Sequence, residues 1–263
     1  MPNHDPNALP SLDDARTYAV PDNEDAAVKP RSRKWVRKLL LVVVGGFLLY
    51  QLHFLVLIAW YKSHNPRASA FMRHTISELR RDNPAAAITH QWVPYADISA
   101  ALKRAVITSE DANFMTHPGV EWDAIRAAAD YNRKQASLGS DKRRGGSTIS
   151  QQLAKNLFLS SERSYWRKGQ ELILTYMLEA LLSKERILEM YLNVAQWGQA
   201  TFGAEAAARH YFRVSAKQLT NHQAARLAAM LPNPRFYDKN RSTSYLNSRT
   251  ASIQRRLHHV AIP

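Results

Sequence analysis

No cysteine occurs anywhere in this chain of 263 residues. A disulfide framework, thiolate metal sites and a cysteine nucleophile are therefore excluded, while the compartment stays open. The pattern G-x-x-x-x-G-K-S/T is also missing, which removes nucleotide hydrolysis through a phosphate-binding loop. Neither G-x-S-x-G nor Ser-x-x-Lys is present, so an α/β-hydrolase and a penicillin-sensitive transpeptidase domain go as well. Carboxylates are scarce: 22 Asp and Glu stand against 36 Lys and Arg, a net charge of +14. Such a surplus points to nucleic acid, an anionic membrane surface or a phosphorylated substrate. There is no internal repeat and no succession of alternating strand patterns. The length suits one large domain or two small ones, with a sizeable core.

What is present begins with a tail. Residues up to about Ala27 are rich in Pro, Asp and Asn, lack apolar periodicity and read as disordered. Lys29 to Lys38 then gathers six cations, and Leu39 to Trp60 is almost wholly apolar, broken by Gln51, His53 and Gly45-Gly46. Twenty-two residues rise about 33 Å as a helix, enough for a hydrocarbon core of roughly 30 Å. Trp35, Trp60 and Tyr61 stand where interfacial aromatics belong. Ala68-Ser69-Ala70 resembles a signal-peptide cleavage site, but the basic region lies far into the chain and the apolar run is too long. An uncleaved single-pass anchor is the better reading. Its basic flank predicts a cytoplasmic N-terminus with Tyr61 to Pro263 outside, which argues against nucleic acid as a partner.

Beyond the anchor, Gln91 to Ile98 reads as extended or loop. Helical periods follow at Ile98 to Ser109, Trp122 to Arg133, Tyr165 to Leu182, Lys184 to Val194, Ala204 to Phe212 and Ala216 to Leu231. The polar, basic stretch Arg133 to Gly146 is expected to be a mobile loop. After its glycines, Thr148 and Gln151 form a capping-box pattern that predicts a helix starting near Ser147 or Thr148. On that helix Thr148, Gln151, Gln152, Lys155 and Asn156 share one face, and Ile149, Leu153 and Leu157 the other. Alone, this is as well explained by a capped helix with a solvated face as by a site for a phosphate-bearing ligand. Glu110-Asp111 near a helix end and the triple Arg167, Lys168 and Glu171 are likewise ordinary when isolated. His117 has no second His at metal-ligand spacing.

The combination is more specific. Glu110-Asp111-x-x-Phe114-x-x-His117-x-Gly119 comes first, then Gly145-Gly146-Ser147-Thr148-Ile149-Ser150-Gln151-Gln152-Leu153-Ala154-Lys155-Asn156. Arg167-Lys168-x-x-Glu171 and Lys184-x-x-Ile187-Leu188-Glu189-x-Tyr191-Leu192-Asn193 follow. This order closely resembles the motifs of the family 51 peptidoglycan glycosyltransferases, over roughly Pro94 to Pro234. With one anchor and no transpeptidase half, the monofunctional form is the nearest resemblance.

That resemblance implies a mainly α fold: a lysozyme-like helical glycosyltransferase domain with a membrane-facing lobe, preceded by a single transmembrane helix. The expected organisation is a disordered basic cytoplasmic tail at 1–38, a transmembrane helix at 39–60 and a juxtamembrane linker at 61–90. The catalytic domain would span 91–240 and a C-terminal extension 241–263. The implied reaction joins lipid II units into β-1,4 glycan with inversion, on the periplasmic side of a bacterial inner membrane, releasing undecaprenyl diphosphate. Glu110 would be the general base and Glu171 the second carboxylate, positioning cations or a divalent ion such as Mg or Mn. Ser147, Thr148, Gln152, Lys155, Asn156, Arg167 and Lys168 would bind substrate, and Asp111, Phe114 and His117 would hold the base. The partners implied are lipid II, the growing glycan chain, the membrane, and cell-wall synthesis or division proteins. Two rivals stay open: a lysozyme-like enzyme that cleaves glycan, and an inactive anchored module that binds peptidoglycan.

Overall fold

A computed structural model describes residues 34–159 and 164–263. The disordered tail expected before Lys34 lies outside the described residues. Helix α1 runs Lys34–Trp60, and the chain divides within it, between Leu48 and Leu49, into two units. The first unit's described part is the N-terminal stretch of α1, whose Leu40, Leu41 and Val42 are exposed. Of the described helices, α1 alone is long and apolar enough to cross a membrane. The second unit contains everything from Leu49 to Pro263.

Among the described residues, the regular structure of that second unit is helical apart from two two-residue strands. Ala70–Asp82 is α2, Ala100–Glu110 α3, Trp122–Ser137 α4 and Ile149–Phe158 α5. Tyr165–Leu181 is α6, Lys184–Val194 α7 and Ala204–Phe212 α8. Asn221–Met230 is α9, Pro234–Lys239 α10 and Ser244–Arg256 α11. Strands β1 (Thr89–His90) and β2 (Thr201–Phe202) pair in parallel, Thr89 opposite Thr201. The core is built from the apolar stripes of α3, α5, α6, α7 and α9, with Leu102, Val106, Ile149, Leu153, Leu174, Leu188 and Leu227 fully buried. Burial of such stripes is what makes these helices stable, since most are too short to persist alone.

Local start signals explain most helix boundaries. Ser99, Ser164 and Ser183 each accept a bond from the backbone N–H three residues on, capping α3, α6 and α7. At α5, Thr148 accepts from Gln151 N while the Gln151 side chain accepts from Thr148 N, the reciprocal box expected from the sequence.

Four expectations are corrected. The linker at 61–90 contains α2, whose N-cap Ser69 is fully buried and accepts from Met72 N; the apparent cleavage site is a helix start. The single helix expected from Ala216 to Leu231 is two pieces, a 3-10 turn at Ala216–Gln218 and then α9. The cause is a pair of tandem capping boxes, Ser215 with Gln218 and Thr220 with Gln223, so the second start interrupts the first. The loop expected from Arg133 begins later, because α4 continues to Ser137. The C-terminal extension is also part of the packed body, for α11 lies against α9 and α3 and buries Leu246 and Ile253.

Candidate active site

Glu110 is the last residue of α3, with its side chain only 11% exposed. Ser109 Oγ donates to its Oε1 at 2.9 Å, and Gln152 Nε2 of α5 donates to its Oε2 at 3.1 Å. Behind Gln152, the fully buried Tyr191 of α7 donates its hydroxyl to Gln152 Oε1 at 3.0 Å. Burial, and then the nearby carboxylates Glu110 and Asp111, push the Tyr191 phenol well above its ordinary range. It therefore keeps its proton, and by donating it to Oε1 it leaves the amide N–H of Gln152 for the carboxylate.

Asp111, the C-cap of α3, joins two elements. Its Oδ1 pairs with His117 Nε2 at 2.8 Å, and its Oδ2 accepts from Ile149 N at 2.9 Å, at the start of α5. His117 Nδ1 accepts from Gly119 N at 3.1 Å, so a neutral ring carries its proton on Nε2 and donates to Asp111. Phe114 is buried beneath, with Lys184 Nζ over its ring at 4.5 Å. Lys184 also donates to His117 O and Glu179. This network fixes the turn that ends α3 and the helix that carries Gln152.

Two glycines of the motifs are explained by close approach. Gly119 takes φ +98°, and a Cβ there would lie 2.7 Å from Glu179 Cγ. At Gly146 a Cβ would meet the α4 backbone, 2.9 Å from Ile125 Cα.

The polar face of α5 is not solvated. Ser150, Gln151 and Asn156 are buried, and Thr148 spends its hydroxyl on Gly119 O at 2.5 Å and on the cap. Ser147 is exposed. Gln152, Lys155 and Asn156 line a cavity of about 200 Å³ together with Phe71, Tyr191, Gln196, Leu231, Pro232 and Pro234. Desolvation pulls the Lys155 ammonium below its ordinary value of 10.5; Glu171 and Glu110 act against this, and Arg167 and Lys168 with it. Among the described residues the Lys155 ammonium makes no hydrogen bond or ion pair, so its charge is free for a ligand.

One helix away, Glu171 is almost fully buried. Arg167 Nη1 donates to its Oε2 at 3.2 Å and Lys168 Nζ to its Oε1. Arg167 Nε is buried without a partner. With a cation on each oxygen of Glu171, a divalent ion does not fit there. Asp111, His117 and Glu121 come within reach of a common point, but Asp111 and His117 already bond each other and Glu121 accepts from Asn113. These residues do not fit a metal either.

Sequence reading missed Arg249 of α11. Its Nη2 donates to Ser109 Oγ at 3.0 Å and lies 3.8 Å from Glu110 Oε1. Tyr191 stood within a quoted motif, but only the fold shows that it orients Gln152.

A largely buried carboxylate held by Ser109 and Gln152 beside the Arg249 guanidinium, and tied through Gln152 to a cavity that Lys155 lines, is equipped to take a proton beside a departing anion. The transglycosylase family model matches residues 75–258, which include Glu110, Gln152, Lys155, Glu171 and Arg249. The chain belongs to that family. It is 59% identical over 236 residues to the biosynthetic peptidoglycan transglycosylase of Bordetella avium, an alignment that spans 89% of this chain and 98% of that one. The corresponding protein of Bordetella pertussis is 58% identical over 240 residues, spanning 89% and 99%. That of a Janthinobacterium is 56% identical over 231 residues, spanning 88% and 98%. The family match begins within α2 and ends beyond α11, so it takes in all of α11 and most of α2.

Proposed function

We propose that this transglycosylase polymerises lipid II outside the cytoplasmic membrane, with α1 as its single-pass anchor, its N-terminus in the cytoplasm and its catalytic domain in the periplasm. The observation that carries the reading is the placement of Gln152 and Lys155, one turn apart on α5. The first holds Glu110 and the second lines the same cavity as a free cation.

In this reading Glu110 accepts the proton of the sugar 4-hydroxyl as that oxygen attacks the anomeric carbon of the growing chain. The new β-1,4 bond forms on the face opposite the departing oxygen, and the bond from the anomeric carbon to the diphosphate breaks. In geometry it is an inverting glycosidase step with a sugar hydroxyl in place of water. The electron pair leaves with undecaprenyl diphosphate, whose charge Lys155 offsets, with Arg167 and Lys168 of α6 close enough to act on Lys155. Glu171 holds those two cations in place. Cell-wall synthesis or division proteins are its natural partners, because the product must be joined to existing wall.

The test is incubation of the purified full chain with labelled lipid II and, separately, with cell-wall sacculi. Glycan polymer from lipid II, with sacculi untouched, is expected. Release of fragments from sacculi would instead establish a lysozyme-like enzyme. Glu110→Gln should abolish polymerisation while lipid II still binds, and a variant that polymerises normally sinks the assignment.

A further inference from the structure

We propose that Gln51 of the anchor and Gln170 of α6 form an intramembrane clasp that sets how deeply the catalytic domain sits in the bilayer. The clasp thereby holds the cationic site level with the diphosphate of a membrane-borne substrate. This rests on the lipid-diphosphate reading above and adds a positioning role for the anchor.

The pair is reciprocal. Gln51 Nε2 donates to Gln170 Oε1 at 2.8 Å, and Gln170 Nε2 donates to Gln51 Oε1 at 3.1 Å. Both residues are buried. In the sequence Gln51 is a blemish on an apolar span; in the fold its amide is matched by another amide.

Around it, Gln51, Phe54 and Ile58 fall at helical spacing on one face of α1, and all three are buried. Phe54 packs edge-on against Phe158 at the end of α5, with 5.4 Å between ring centroids. Leu52 and Val56, on the other face of the same turns, are exposed. Exposed leucine and valine in a membrane helix belong in hydrocarbon. The surface that covers the opposite face, Phe158 and Gln170, therefore reaches the same depth.

Apolar contacts alone tolerate sliding, whereas a single amide pair does not. A shift of α1 by one turn would leave both amides unmatched where no water competes for them. A second tie lies about 15 Å along the helix, ten residues on. Arg186 Nε of α7 donates to Tyr61 O, and its Nη2 to His64 O, both at 2.9 Å. Two fixed points define a register.

What the register positions is the site. Gln170 precedes Glu171, which holds Arg167 and Lys168, and the charges of all three act on Lys155. Moving Gln170 along the membrane normal moves these charges with it.

The experiment uses the full chain in lipid vesicles. The exposed Tyr165 at the start of α6 is replaced by Cys and labelled with a fluorophore; no other thiol exists in the chain. Depth is read by quenching with spin-labelled lipids, and polymerisation is measured in parallel. Gln51→Leu is expected to shift the depth of the label and to lower the rate in vesicles about tenfold. In an unlabelled background, Gln51→Cys with Gln170→Cys, joined by a short thiol-to-thiol cross-linker, should restore the rate. Wild-type depth in Gln51→Leu, whatever its rate, overturns the clasp. A shifted label in a protein that never polymerises lipid II, wild type included, keeps the clasp and rejects the functional reading.

Discussion

Gln152 Nε2 donates to Glu110 Oε2 at 3.1 Å, and this bond ties the carboxylate that ends α3 to the polar face of α5. The amide is itself oriented by Tyr191, which donates to Gln152 Oε1. Without the phenol hydroxyl, Gln152 Oε1 loses its donor and the bond to the carboxylate alone is left to hold the amide. Tyr191→Phe keeps the ring that fills the core and removes only the donor. We expect a five- to tenfold lower turnover, corresponding to about 1 kcal/mol for one hydrogen bond, with lipid II affinity little changed. Steady-state kinetics on lipid II read the difference, and an unaltered turnover number would show that the Tyr191–Gln152 bond has no part in orienting the base.

Lys155 makes a pH prediction. Burial lowers its pKa from 10.5, so the folded protein releases this proton at a pH where the unfolded chain still holds it. Between the two values the unfolded state binds more protons, and stability rises with pH across that window. Below the window the buried charge is a full cost to folding. Lys155→Met should therefore resist denaturant better than wild type near neutral pH, while its affinity for the lipid diphosphate falls about ten- to a hundredfold. The anion Glu171 opposes the shift. Glu171→Gln should thus begin to lose affinity at a lower pH than wild type. Binding titrations over an alkaline pH series test the order, and identical pH profiles would refute it.

Arg249 reaches Ser109 and Glu110 from a helix beyond the expected domain boundary of 240. Arg249→Ala removes one donor from the Ser109 hydroxyl and a cation from the vicinity of the base. Turnover should drop about tenfold, on the scale of a hydrogen bond from a charged group. Because α11 also packs on α9, Arg249→Lys serves as the companion variant: it retains the charge on a flexible stem and should recover part of the rate. Thermal unfolding of both variants separates a loss of packing from a loss of positioning. Equal and wild-type turnover in the two would remove Arg249 from the site.

The sequence was legible where the deciding interactions are local. The Thr148–Gln151 box, the serine caps and the apolar stripes act within four residues, and they place α3, α6, α7 and α8 to within two residues, together with the start of α5. Helix α2 escaped because polar residues dominate Ala70–Asp82 and only Met72 and Thr75 are buried there. The same divide runs through the site. Glu110, Gln152 and Lys155 stand within motifs, so their chemistry could be read in line. The bonds that give Arg249, Tyr191 and Gln51 their roles join residues 140, 39 and 119 positions apart. Nothing in neighbouring sequence announces such pairs; folding alone brings them together.

Gly145 and Gly146 are adjacent in sequence and opposite in what they tolerate. A Cβ on Gly145 would meet nothing within 4 Å, whereas on Gly146 it would come within 2.9 Å of Ile125 Cα and 3.0 Å of Ala124 O. Both of those atoms are helix backbone, which cannot rotate away as a side chain can. Gly146→Ala must therefore push the chain off α4 just before Thr148 caps α5, and Ile149 N is the group that Asp111 holds. We expect a loss of about 1–3 kcal/mol, as for an overpacked core position, together with reduced polymerisation. Gly145→Ala should behave as wild type in both respects. Denaturant unfolding and lipid II assays on the pair provide the check. Equal behaviour of the two variants would mean that the approach of Gly146 to α4 does not set the start of α5.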